Sequence, residues 1–141
     1  MTKNKEIIID GLRIEYLQRG ILQDCPIVCL PGWMAEANLY KDAMGDAENF
    51  LILNWPGFGK SQQPNSVWGI EEYATFLQKL LKELKIEKCS LVGHSFGGSV
   101  AIYFSAKYPQ KIKKLILVAS SGIRNKGFLK KIRKIIFLLL S

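Results

Sequence analysis

One serine in this chain has a setting suited to nucleophilic attack. Ser95 lies in Gly93-His94-Ser95-Phe96-Gly97, between the apolar run "KCSLV" and a segment rich in small residues. A sharp strand-to-helix turn holds such a serine in a strained backbone conformation, with its hydroxyl free above the turn. Side chains two positions away on either side would collide, and glycines at 93 and 97 remove the collision. The helix start beneath the serine favours negative charge, such as a developing oxyanion. The chemistry is attack on a carbonyl, and it needs a base to accept the serine proton.

His94 is the single histidine of the chain and directly precedes Ser95. Successive strand residues point to opposite faces, so its imidazole leaves on the side away from the serine. It reads as a structural residue. No histidine follows Ser95, and no carboxylate follows Glu87. The nucleophile is present and its proton acceptor is not.

The elements that position Ser95 follow from periodicity. "EIIIDGLRIEYLQRG" reads as a β-hairpin turning at Asp10-Gly11, a pair suited to a tight primed turn. "PIVCL" (26–30), "NFLILN" (49–54), "KCSLVGH" (88–94) and "KKLILVAS" (113–120) read as buried strands, with a helix expected near 36–47. Ile70, Tyr73, Ala74, Leu77, Leu80, Leu81 and Leu84 form a helical stripe, with Glu71 and Glu72 near its N-terminal dipole. After Ser95, the spacing predicts that Gly98, Ala101, Ile102, Ser105 and Ala106 face the sheet, in a helix ending before Pro109. A hairpin followed by alternating strands and helices implies an α/β fold with a mostly parallel sheet. Ligands gather at the carboxyl ends of such strands, so "PGW", "WPGFG", "GHSFG" and "ASSG" should share one edge.

The 141 residues, 48% hydrophobic and 23% charged, suit one compact domain with a substantial core. No apolar run is long enough to cross a bilayer, and the N-terminus lacks the features of a signal peptide, so a cytoplasmic location is expected. Cys25, Cys29 and Cys89 show no metal-ligand spacing and read as reduced, buried thiols. Charge is uneven: residues 1–87 carry nine Lys/Arg and twelve Asp/Glu, whereas 88–141 carry eleven Lys/Arg and no acid. The basic half lacks the interleaved aromatics that stack bases, which argues against nucleic-acid binding. A solvated face, or one that meets an acidic missing part of the fold, is the better account.

Three motifs in order resemble the α/β-hydrolase superfamily, particularly its small esterase-like members, over about Glu6 to Ser121. "LPGW" (30–33) is similar to the family's His-Gly oxyanion loop, "NWPGFGKS" (54–61) to its Asp-x-Pro-Gly-x-Gly-x-Ser turn, and "GHSFGG" (93–98) to its nucleophile elbow. The resemblance implies that Ser95 is the nucleophile and that the backbone amides of Trp33 and Phe96 form the oxyanion hole. The Trp33 indole would line the substrate pocket or pack as a core aromatic. Packing explains Trp55, Phe58 and Trp68 at least as well as a site role does. Pro31 stands where the family has the histidine that braces the oxyanion loop, and Asn54 replaces the usual Asp. A proline stiffens the loop without replacing those hydrogen bonds, and an amide can still cap the turn.

The family order is Ser, acid, His, and Ser120 stands where one variant carries its acid. Beyond "ASSGI" the family inserts a lid and then two further strands. Here residues 124–141 place Phe128, Leu129, Ile132, Ile135, Ile136 and Leu139 opposite a basic face. The pattern suits a first lid helix, and a basic amphipathic membrane anchor has the same signature. The expected division is a partial hydrolase core over 1–123, lacking the last strands of the full fold, and a basic amphipathic helix over 124–141.

The function implied is a serine hydrolase acting on a small ester, thioester or amide through an acyl-enzyme on Ser95. No metal or organic cofactor is expected. The histidine and acid would come from a second polypeptide, or the chain would be a truncated product of little turnover. A non-catalytic binding module that keeps the elbow is the alternative, as is a membrane-surface protein using 124–141.

Overall fold

The computed structural model of the protein describes residues 1–121. The expected helix at 124–141, with its lid and membrane readings, lies outside the described residues. Six strands form one mixed sheet: β1 (Lys3–Ile9), β2 (Leu12–Arg19), β3 (Ile27–Leu30), β4 (Phe50–Leu53), β5 (Cys89–His94) and β6 (Ile112–Val118). Their order is β1-β2-β4-β3-β5-β6. The β1–β2 and β2–β4 pairs are antiparallel, and β4, β3, β5 and β6 run parallel. The hairpin turns at Asp10 and Gly11 with φ of 49° and 78°, the double left-handed geometry of the primed turn.

Alternation along the central strands divides the core between two faces. Val28, Leu30, Leu51, Leu53 and Leu91 point toward α1 (Ile70–Glu83) and α2 (Phe96–Lys107). Cys29, Phe50 and Ile52 point the other way, into a smaller cluster with Leu17 and Ala37. Each fully buried leucine contributes about 2 kcal/mol of apolar burial, so the sequence pattern and the sheet reinforce each other.

α1 buries Tyr73, Ala74, Phe76, Leu77, Leu80 and Leu81. Its start is capped by Glu72, whose Oε2 accepts the Gly69 amide at 2.8 Å. Ile70, expected in the stripe, is exposed, because it is the first residue of the helix and precedes the face that packs. α2 departs further from expectation. It buries Gly97, Gly98, Val100, Ala101 and Phe104, whereas Ile102 and Ser105 are half-buried and Ala106 is exposed. The close approach is made at its glycine-rich start. Farther along, Phe104 holds it in the core.

Two more expectations change. The segment near 36–47 forms two short 3-10 helices, Ala37–Tyr40 and Asp42–Met44, instead of one α-helix. Its first turn is tied down by the Asn54 side chain, which takes the Ala37 amide at 2.7 Å, and Gly45 ends the second with a positive φ. β6 forms as expected, yet Ile116 and Val118 are each 48% exposed. No described element packs outside this edge strand.

Candidate active site

β5 runs into α2 at Ser95, which adopts φ 50° and ψ −115°. A positive φ at a non-glycine residue is strained, and here it swings the chain from strand into helix within one residue. The flanking glycines are required sterically. A Cβ on Gly93 would lie 2.7 Å from the Gly97 carbonyl oxygen, and one on Gly97 would lie 2.0 Å from that of Leu30. Gly98 is equally confined, since its Cβ would meet the Ser120 hydroxyl at 2.4 Å. The junction is tied to the end of β6 by Ser95 N–H to Val118 O and Ser121 N–H to Ser95 O, both 3.0 Å.

The loop after β3 lies against the elbow. A Cβ on Gly32 would stand 3.5 Å from Ser95 Cβ and 3.2 Å from His94 Nδ1. Residues 32–35 close a turn through Ala35 N–H to Gly32 O at 3.2 Å, with Met34 at φ 58°. Neither the Trp33 amide nor the Phe96 amide donates to a protein acceptor among the described residues.

Among the described residues, His94 makes no hydrogen bond to Ser95. Its Nδ1 is 2.8 Å from the Tyr40 hydroxyl, and no described side chain hydrogen-bonds the Ser95 hydroxyl. The loop at Pro31 and Gly32 is held by two hydrogen bonds that the sequence did not reveal. Trp55, fully buried, donates its indole N–H to the Pro31 carbonyl at 3.0 Å, and the Tyr40 oxygen accepts the Gly32 amide at 3.0 Å. The only sequence signals were an unassigned tyrosine and a tryptophan attributed to packing.

Asn54 keeps the shape of its turn through three contacts. Its Oδ1 takes the Ala37 amide, its Nδ2 donates to Glu15 Oε2 at 2.8 Å, and its carbonyl accepts Ser61 Oγ at 2.8 Å. Glu15 in turn donates its own amide to Ser61 Oγ at 3.0 Å. The amide supplies a donor that a carboxylate lacks, and Glu15 uses it.

Trp33 is 55% exposed and packs edge-on to Phe58 and Phe96, with ring centroids 4.7 and 5.0 Å away. This favours the pocket-lining placement over the core one. With Phe58, Pro64, Val67, Trp68 and Tyr73 it borders an open groove of about 450 Å³. Burial raises the Tyr73 phenol above its ordinary pKa, so this wall stays uncharged, and its hydroxyl donates to the Pro56 carbonyl. Cys29 and Cys89 are buried, which pushes each thiol to about 12, while Cys25 is only partly buried. None of the three is disulfide-bonded. No helix among the described residues is long and apolar enough to cross a membrane.

Comparison with known proteins agrees with this geometry. The sequence profile of the alpha/beta hydrolase fold matches residues 26–140. An uncharacterized protein of Mycobacterium tuberculosis is 40% identical over 79 residues, which are 55% of this chain and 23% of that one. The 2-hydroxy-6-oxo-2,4-heptadienoate hydrolase of Pseudomonas putida is 32% identical over 97 residues, 66% of this chain and 35% of the relative. Among solved structures, Cfl2 of Burkholderia cenocepacia superimposes with a TM-score of 0.77 at 25% identity, covering 84% of this chain and 42% of that one. The chain thus spans about a quarter to a third of these curated relatives and under half of the solved one.

Proposed function

Because this chain belongs to the family of the alpha/beta hydrolase fold, we propose that it is the nucleophile-bearing part of a serine hydrolase acting on a small ester, thioester or amide. The observation that carries the reading is Ser95 at φ 50°, on a strand–helix junction whose flanking glycines leave no room for a Cβ. Strain of this kind, about 1–3 kcal/mol, persists only where the surroundings impose it.

In the reaction, Ser95 Oγ attacks the substrate carbonyl carbon and loses its proton to a base. The carbonyl oxygen becomes an oxyanion, held by the amides of Trp33 and Phe96. Collapse of the tetrahedral intermediate breaks the bond to the leaving group, which departs as an alcohol, thiol or amine with a proton returned by the same base. Water then attacks the acyl-enzyme and frees Ser95. The apolar part of the substrate lies along the groove bordered by Trp33, Phe58 and Trp68. The name of the Pseudomonas relative supports hydrolase activity in general.

In this reading the base is not His94, which makes no hydrogen bond to Ser95 among the described residues and bonds Tyr40 through Nδ1. A histidine and an acid from outside residues 1–141 complete the site in this reading. The free cysteines, two of them buried, support a cytoplasmic setting, where thiols stay reduced. One observation favours a second reading, a binding module that keeps the elbow: the chain's only histidine is already committed to a structural bond.

The test is covalent labelling of the purified chain with a fluorophosphonate, alone and mixed with a candidate polypeptide carrying the late acid and histidine. Labelling at Ser95 that disappears in Ser95→Ala supports the hydrolase. No labelling in either mixture refutes it in favour of the binding module.

A further inference from the structure

The loop that carries the Trp33 amide contains Gly32, a residue with no side chain to restrict its two backbone torsions. Its position beside Ser95 therefore depends on what holds its polar atoms. On one side, its carbonyl accepts the Ala35 amide. The peptide unit is planar and trans, so this bond also sets the direction of the Trp33 N–H, opposite the Gly32 carbonyl. On the other side, the Gly32 amide donates to the Tyr40 hydroxyl, and that oxygen is 2.8 Å from His94 Nδ1.

We propose that Tyr40 is a positioning residue: bonded at once to the Gly32 amide and to His94, its hydroxyl locks the oxyanion loop onto the nucleophile elbow. The chain's only histidine thereby acquires a role, as the anchor of this link. Two features support it. Tyr40 packs its ring against the small cluster of Leu17, Cys29, Ala37, Phe50 and Ile52, so the ring is held independently of its oxygen. Moreover, Gly32 is sandwiched, since a Cβ there would lie 3.5 Å from both the Tyr40 hydroxyl and Ser95 Cβ. Tyr40 thus holds Gly32, as Trp55 holds Pro31. A hydroxyl can accept the amide hydrogen and still offer its own hydrogen to the imidazole, so neither bond excludes the other.

The inference rests in part on the hydrolase reading, and the test separates the two. In the full chain, Tyr40→Phe keeps the ring and removes only the oxygen. Amide exchange at Gly32 should accelerate at least about tenfold, and the ring nitrogen signals of His94 in nitrogen NMR should move. Fluorophosphonate labelling of Ser95 should slow by about tenfold to a hundredfold, since loss of one oxyanion donor outright is worth more. His94→Ala should reproduce the Gly32 effect in part. His94→Asn, whose side-chain oxygen can accept in place of Nδ1, should restore protection. Unchanged Gly32 exchange or unmoved His94 signals in Tyr40→Phe would overturn the brace. A lost brace with an unaltered labelling rate would overturn its positioning role. Failure of wild-type Ser95 to label in any mixture would instead sink the hydrolase reading, and the brace would still be decided by the Gly32 and His94 signals.

Discussion

Restoring the family's aspartate at position 54 should harm this protein. Asn54 is buried, and its Nδ2 donates to Glu15 Oε2 at 2.8 Å. Asn54→Asp replaces that donor with an oxygen and sets two carboxylates face to face. At about 3 Å and an effective dielectric of about 20, their repulsion would be about 5–6 kcal/mol. The protein has a cheaper option, which is to keep one proton on the pair. At about pH 7 this costs about 1.4 kcal/mol for each of the roughly three units separating the solution from an unfolded aspartate, or about 4 kcal/mol at most. The shared proton restores a hydrogen bond, so the expected loss is about 2–4 kcal/mol. The sign with pH follows from linkage. The native pair holds its proton more tightly than the unfolded chain does, so the penalty is absent below about pH 4 and grows as pH rises. Urea unfolding at about pH 7 and about pH 4.5 measures it, and the penalty should shrink to about 1 kcal/mol in acid. Glu15→Gln in the same chain should rescue the variant, because the new amide can donate to Asp at 54. An Asn54→Asp protein as stable as wild type at neutral pH, or a penalty indifferent to acid, would refute the reasoning.

Ser95→Gly should stabilise the fold by about 1–2 kcal/mol while abolishing labelling, since glycine removes the cost of a positive φ. Ser95→Ala should abolish labelling without that gain, and thermal melts of the pair decide it. Gly97→Ala should cost about 3 kcal/mol or more, seen as a lower melting point or insoluble protein, because its Cβ would sit 2.0 Å from the Leu30 oxygen. Gly11→Ala, with nothing near its Cβ, should lose only about 1 kcal/mol from backbone strain. Alkylation followed by mass spectrometry at about pH 8 should modify the partly buried Cys25 first. Cys29 and Cys89, pushed to about 12 by burial, should react only as the protein unfolds.

The elbow could be read in advance because its determinants are neighbours in the chain. Gly93, Ser95 and Gly97 occupy five consecutive residues, and the same short-range sterics that demand glycine there fix the backbone. The hairpin at Asp10-Gly11 and the central strands followed from equally local rules. Burial on α2 did not. A stripe of small residues marks where a helix can approach a sheet, but the approach is made only at Gly97 and Gly98, where β3 and Ser120 lie. Ile116 and Val118 carried a buried-strand pattern, yet their exposure depends on what packs beyond β6 and not on their own side chains.

The sequence alone determined that a serine would stand at a strand–helix junction. The tertiary structure decided what holds the surrounding loops. Tyr40 and His94 are 54 residues apart, and Glu15 and Asn54 are 39 apart. The strand order β2-β4-β3-β5 brings each pair together. Glycine requirements arise from contacts within a few bonds, whereas a hydrogen bond between distant residues exists only once the sheet has set the register that aligns donor with acceptor.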